Sequence, residues 1–126
     1  MTGRPRRCGW FDAVLVRYSS RLCGVDGLAV MLLDVLSELD ELSICVGYVH
    51  AGRRLDIVPA DADTLAECQP IYVTKPGWKR DISAARSLAD LPAQARGYLD
   101  TLSELVGYPI DIVSVGRDRS QTIRLK

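Results

Sequence analysis

Leu28-Ala29-Val30-Met31-Leu32-Leu33-Asp34 is an unbroken apolar run closed by a carboxylate. Its length suits a buried strand of a parallel or mixed sheet better than a helix, because a strand covered on both faces needs no polar alternation. Asp34 then falls at a strand's carboxyl end, the side on which open α/β sheets gather their ligands. The competing reading makes Asp34 the cap of a turn over Asp34-Val35-Leu36-Ser37.

Upstream of this run, Phe11, Val14, Leu15, Tyr18 and Leu22 are spaced as one face of a helix, with Arg17 and Arg21 on the opposite side. Gly24 is placed to stop it. Downstream, Leu42 to Val49 alternates Ile44, Val46 and Tyr48 against Ser43, Cys45 and Gly47, the period of a strand. Ala51-Gly52 turns it into Leu55–Val58, ended by Pro59, so a hairpin is expected. A short helix over 61–67 and a strand over 70–74 follow, broken by Pro76-Gly77. Residues 78–87 are polar and irregular and read as a loop. Leu91, Ala95, Tyr98, Leu99, Leu102 and Leu105 form the apolar face of a helix over 92–106, with Asp90 and Pro92 at its start and Gly107 and Pro109 past its end. A strand over 110–115, a turn over 116–120 and a last strand over 121–125 complete the chain. This order of helices and strands gives an α/β fold, or an α+β fold with a mixed sheet.

The 126 residues fit one domain with a single core, and 48% apolar against 25% charged residues is a globular composition. Sixteen basic and sixteen acidic side chains cancel, which argues against indiscriminate binding of nucleic acid or an anionic membrane. There is no apolar run of membrane-spanning length and no signal-peptide core after the N-terminal charges, so the cytoplasm is the expected compartment. Cys8, Cys23, Cys45 and Cys68 lack Cys-x-x-Cys spacing, and His50 is the only histidine. Reduced, buried thiols are expected rather than disulfides or a zinc site, and His50 reads as an exposed residue beside the hairpin turn.

Residues 2–10, Thr-Gly-Arg-Pro-Arg-Arg-Cys-Gly-Trp, concentrate positive charge. Arg4, Arg6 and Arg7 carry planar fork donors suited to carboxylate and phosphate, and they precede the positive end of the helix that begins near Phe11. The plain alternative is a solvated charge run.

Taken together, Thr-Gly-Arg-Pro-Arg-Arg-Cys-Gly-Trp (2–10), Leu-Asp-Val-Leu (33–36), Pro-Ile-Tyr (70–72), Pro-Gly-Trp (76–78) and Pro-Ile-Asp-Ile-Val-Ser-Val-Gly-Arg-Asp-Arg (109–119) resemble the C-terminal part of adenylosuccinate synthetase. That family is the GTP-dependent ligase joining IMP and L-aspartate in purine (AMP) biosynthesis. The resemblance implies that residues 1–8 are a remnant of the aspartate/IMP loop and that 9–126 form the C-terminal α/β portion with the guanine-binding segments. It places Thr2, Gly3, Arg4 and Arg6 at the substrate side, with Arg6 also approaching GTP. Leu32, Leu33 and Asp34, with Ser114, Val115 and Gly116, become the guanine pocket. A carboxylate at Asp34 can accept both N1–H and N2–H of guanine, which adenine cannot offer.

The implied reaction phosphorylates the O6 of IMP from GTP with Mg2+ present, after which the amine of aspartate displaces that phosphate. Its phosphate loop, catalytic aspartate and catalytic histidine have no match here, so no catalytic residue is assigned and the isolated chain is expected to be inactive. Magnesium ligands are likewise expected outside it, and a homodimer is implied for the full-length enzyme. Leu32 stands where many members have lysine, Arg117 replaces a common proline, and Met1 falls inside the loop, as though the reading frame begins or was cut there. An open strand edge and an apolar face are the expected consequence. A non-catalytic guanine-nucleotide-binding module is the alternative function; a nucleic-acid binder using the arginine tail is disfavoured by zero net charge and 6% aromatic residues.

Overall fold

In the computed structural model, which describes residues 3–125, the chain runs β1 (Phe11–Asp12), α1 (Ala13–Cys23), β2 (Leu28–Val30), β3 (Glu41–His50), β4 (Arg53–Leu55), α2 (Ala62–Glu67), β5 (Gln69–Pro76), α3 (Ala93–Val106), β6 (Ile110–Ser114) and β7 (Thr122–Arg124). Short 3-10 turns cover Leu33–Leu36, Leu88–Asp90 and Arg119–Gln121. The strands form two mixed sheets. In the first, β5 lies antiparallel along the length of β3, while β1 pairs with it in parallel (Phe11↔Ile44) and β4 returns antiparallel (His50↔Arg53). In the second, β2 runs parallel to β6 with Val30 opposite Val113, and β7 is antiparallel to β6.

The helix over 92–106 is present as α3, and its expected face is the buried one. Ala95, Tyr98, Leu99, Leu102 and Val106 enter a core shared with Ile44 of β3, Val113 of β6 and Ile123 of β7. Burying each large aliphatic side chain there contributes about 1.5–3 kcal/mol. The start of α3 differs in detail. Pro92 is its first flanking residue, and Asp90 instead accepts hydrogen bonds from the Arg86 and Ser87 amides, closing its own small turn. The hairpin is also present, with Ala51 and Gly52 both at positive φ, the backbone of a tight two-residue turn. Its return strand is Arg53–Leu55, earlier than Leu55–Val58. The short helix is α2, capped by the Asp61 carboxylate on the Thr64 amide at 2.8 Å.

Three expectations are corrected. The apolar run over 28–33 is a strand only as far as Val30, because the ladder to β6 ends at Val30↔Val113. Met31 and Leu32 leave the sheet exposed, and Leu33–Leu36 coil into a turn, so Asp34 lies in that turn rather than at the last strand residue. The helix over 11–22 exists as α1, but Phe11 belongs to β1 and the buried positions are Ala13, Val14 and Ser20. Leu15, Tyr18 and Leu22 are exposed, and Arg17 turns inward to donate to the carbonyls of Leu105 (3.1 Å) and Asp56 (3.2 Å). The pairing of β1 with β3 fixes this rotation, which periodicity within the helix does not register. Finally, the irregular segment 78–87 is not merely polar: Trp78, Ile82 and Ala85 are core residues.

β2 is an edge strand whose outer side pairs with none of the described residues. Leu15, Tyr18, Leu22, Met31 and Val35 are exposed apolar side chains.

Candidate functional site

β2 and β6 end side by side because they are parallel and in register at Val30↔Val113. The chain then leaves the ladder, and two residues past Val30 Leu32 donates its backbone N–H to Ser114 Oγ at 2.7 Å. A side chain thus replaces the next rung of the sheet. Leu32 sits in the left-handed region at φ 57°, ψ 46°, which for a non-glycine residue costs about 1–2 kcal/mol. Leu33 plugs into the core at 1% exposure and directs the turn. At the turn's far end, Trp78 Nε1–H donates to Ser37 Oγ at 2.9 Å, and the Trp78 ring leans on Tyr98 with centroids 6.2 Å apart. Leu32-Leu33-Asp34 and Ser114-Val115-Gly116 therefore form one wall.

Asp34, half-buried, lies in the Leu33–Leu36 turn. Its Oδ1 is buried and has no hydrogen-bond partner among the described residues. A buried acceptor left without a donor costs about 1–3 kcal/mol. Ser114 is 1% exposed and its Oγ already accepts from Leu32, which makes it the clamp between the two segments. Val115 is buried with its N–H on the Gln121 carbonyl at 2.9 Å, and Gly116 is buried while Arg117 is exposed.

The arginine segment meets this wall at its C-terminal end. Gly9, Trp10 and Phe11 line a cavity of about 230 Å³ with Met31, Leu32 and Leu33. Arg4, Arg6 and Arg7 are exposed, and no hydrogen bond or ion pair engages their side chains among the described residues. Gly3 has φ 58°. Thr2 lies outside the described residues. The start of α1 already carries an anion of the chain's own. Asp12 caps that end, accepting the Leu15 amide at 3.0 Å on one oxygen and the Tyr48 hydroxyl at 2.5 Å on the other. Burial and this bond to a carboxylate push the Tyr48 phenol above the ordinary tyrosine range.

His50 flanks the hairpin turn as expected, but it is half-buried rather than exposed and lies 3.0 Å from Glu67. The four cysteines are free, but Cys8 and Cys23 are exposed rather than buried. No group of three His, Cys, Asp or Glu side chains that could hold a metal occurs among the described residues. No helix of the described residues is long and apolar enough to cross a membrane. A larger cavity, about 580 Å³, opens between Arg80 and Arg96 at the start of α3, but Asp81 and Asp90 line it too, so its charge favours no one ligand.

The family model of adenylosuccinate synthetase matches residues 1–123. The chain belongs to the adenylosuccinate synthetase family. Its sequence is 53% identical over 125 residues to the adenylosuccinate synthetase of Geotalea daltonii, covering 99% of this chain and 29% of that one. It is 55% identical over 122 residues to that of Pelotomaculum thermopropionicum, covering 97% and 29%. The solved, fully ligated adenylosuccinate synthetase from Plasmodium falciparum superposes with a TM-score of 0.93 at 33% identity, over 99% of this chain and 30% of that chain. The chain thus spans under a third of the length of the relatives it matches.

Sequence reasoning missed the residues that hold the wall in place. Trp78 and Ser37 lie 41 positions apart and announce nothing locally. Gln121 does carry a signal: Asp118-x-x-Gln121 is the spacing of a capping box, and the structure forms one.

Proposed function

We propose that this chain supplies the guanine pocket and the arginine loop of an adenylosuccinate synthetase, the GTP-dependent ligase joining IMP to L-aspartate. The observation that supports the reading is the Leu32 N–H to Ser114 Oγ bond, which ties the segment carrying the buried Asp34 Oδ1 to the start of the Ser114–Gly116 bend. That bond joins two segments 82 residues apart in sequence.

On this reading the Asp34 carboxylate accepts N1–H and N2–H of guanine, each charge-assisted bond contributing about 1.5–3 kcal/mol. Adenine has neither donor there and leaves the carboxylate unpaired, so the pocket rejects it. Leu33, Val115 and Gly116 shape the wall, Ser114 fixes its geometry, and Leu32 offers apolar contact to the base in place of an alkyl-ammonium. Thr2 and Gly3, with the forks of Arg4 and Arg6, hold the carboxylates of aspartate and the anionic side of IMP and GTP. Residues 1–8 act as the end of that substrate loop and 9–126 as the body that carries the guanine segments.

Phosphoryl transfer to the O6 of IMP and its displacement by the amine of aspartate require groups that this chain does not offer. When bound, Mg2+ supplies charge neutralisation at the transferring phosphate. On this reading the chain alone is a binding half without turnover, and the complete ligase acts as a homodimer.

The test is a chimera in which this chain replaces the matching portion of a relative's synthetase. Formation of adenylosuccinate from IMP, aspartate and GTP is expected, with loss of activity in the Arg4→Ala version and none from the chain alone. A folded chimera that binds IMP yet makes no product would contradict the proposal, as would turnover by the isolated chain.

A further inference from the structure

The bend that follows β6 has little to hold it. Arg117, Asp118, Arg119 and Ser120 are all exposed, and among the described residues only one side chain outside them hydrogen-bonds to the loop. That residue is Gln121. Its Oε1 accepts the Asp118 N–H at 3.1 Å, and its backbone N–H donates to the Asp118 carbonyl at 2.9 Å. Its own carbonyl takes the Val115 N–H at 2.9 Å. The side-chain amide lies directly on Gly116: a Cβ there would overlap the Gln121 Oε1, Cδ and Nε2 atoms. Finally, Gln121 Nε2 donates to the Ser83 carbonyl at 3.1 Å, 38 positions away. Ser83 is itself fixed, with its amide on Asp81 at 2.8 Å and its carbonyl shared with Arg86 at 2.8 Å.

We propose that Gln121 is the positioning residue of the guanine wall: it sets the 115–118 bend against Asp34 by bracing Gly116 and tying the bend to Ser83. The proposal rests on the guanine reading and adds the residue that holds the wall's second half. Gln121 does not touch the base; it acts through Gly116. A buried glycine at 116 then follows from packing, because the space of a side chain is already taken by an amide that must stay where it is.

The test compares the full chain with Gln121→Ala, Gln121→Glu, Gly116→Ala and the double variant, titrating GMP and AMP while following backbone amides by NMR. With Gln121→Ala, GMP affinity falls about tenfold, as the loss of two hydrogen bonds implies, and the amides of 115–118 lose exchange protection while those of α3 keep it. Gln121→Glu keeps the acceptor for Asp118 but not the donor to Ser83, and recovers part of the affinity. Gly116→Ala weakens GMP binding in the parent but much less in the Gln121→Ala background, a coupling that a general loss of stability would not produce. If the parent prefers GMP and Gln121→Ala binds it equally well, Gln121 has no positioning role and the guanine reading stands. If the parent shows no preference for GMP, the guanine reading fails and takes this inference with it.

Discussion

Ser114→Ala removes one oxygen from the interior and strands the group that depends on it. The Leu32 N–H sits 2.7 Å from Ser114 Oγ in a part-buried position where the sheet ladder has already ended. Without that acceptor, a part-buried donor loses its partner, at a cost of about 1–3 kcal/mol. An unfolding entropy of about 2.1 cal/mol/K per residue over a chain of this size makes each kcal/mol worth about 4 °C. The melting temperature followed by circular dichroism should therefore drop by about 4–11 °C. Alanine fits the space of serine, so no packing defect competes with this effect. Hydrogen exchange adds a local readout: the Leu32 amide is protected in the parent and exchanges freely in the variant. A drop below about 1 °C with the Leu32 amide still protected would mean that another group accepts it. The 32–34 and 114–116 segments would then not be tied as described.

The same contacts set other outcomes. Ala51 occupies the left-handed region at φ 48° in the hairpin turn, so Ala51→Asn should raise stability by about 0.5–1 kcal/mol, read as a higher melting temperature. Tyr48 and Tyr98 have phenol pKa values raised first of all by burial, and Tyr48 also by its bond to Asp12. The folded chain holds these protons after the unfolded chain releases them near pH ~10, so stability is intact below that point and declines as pH rises through it. Tyr48→Phe should flatten that alkaline decline in denaturant titrations. Asp34→Asn keeps an acceptor for N1–H but offers N2–H a donor instead, so GMP binding should fall by at least about tenfold while XMP, with a carbonyl at that position, gains in relative affinity.

What the sequence made legible was whatever local pattern controls. Helix α3 and its buried face came from the spacing of Ala95, Tyr98, Leu99 and Leu102, and the hairpin from Ala51-Gly52. The ordered motifs led to the family, and the family model matches residues 1–123. Where tertiary pairing decides, pattern failed. The rotation of α1 is set by β1 docking on β3, which sends Leu15 and Tyr18 outward and Arg17 inward. The end of β2 is set by where β6 stops offering backbone partners, and six apolar letters in a row conceal that change. Of the wall's supports, Trp78 on Ser37 joins segments far apart in sequence, whereas Gln121 on Gly116 carries only the local capping-box spacing from Asp118.

The most direct measurement is an NMR titration of the chain with GMP and, separately, AMP, mapped by residue. GMP is expected to shift the amides of Leu33 and Asp34 together with those of Ser114, Val115 and Gly116, along one binding curve, while AMP leaves both segments in place. Movement of only one segment, or equal responses to the two nucleotides, would contradict a guanine site built from the two together.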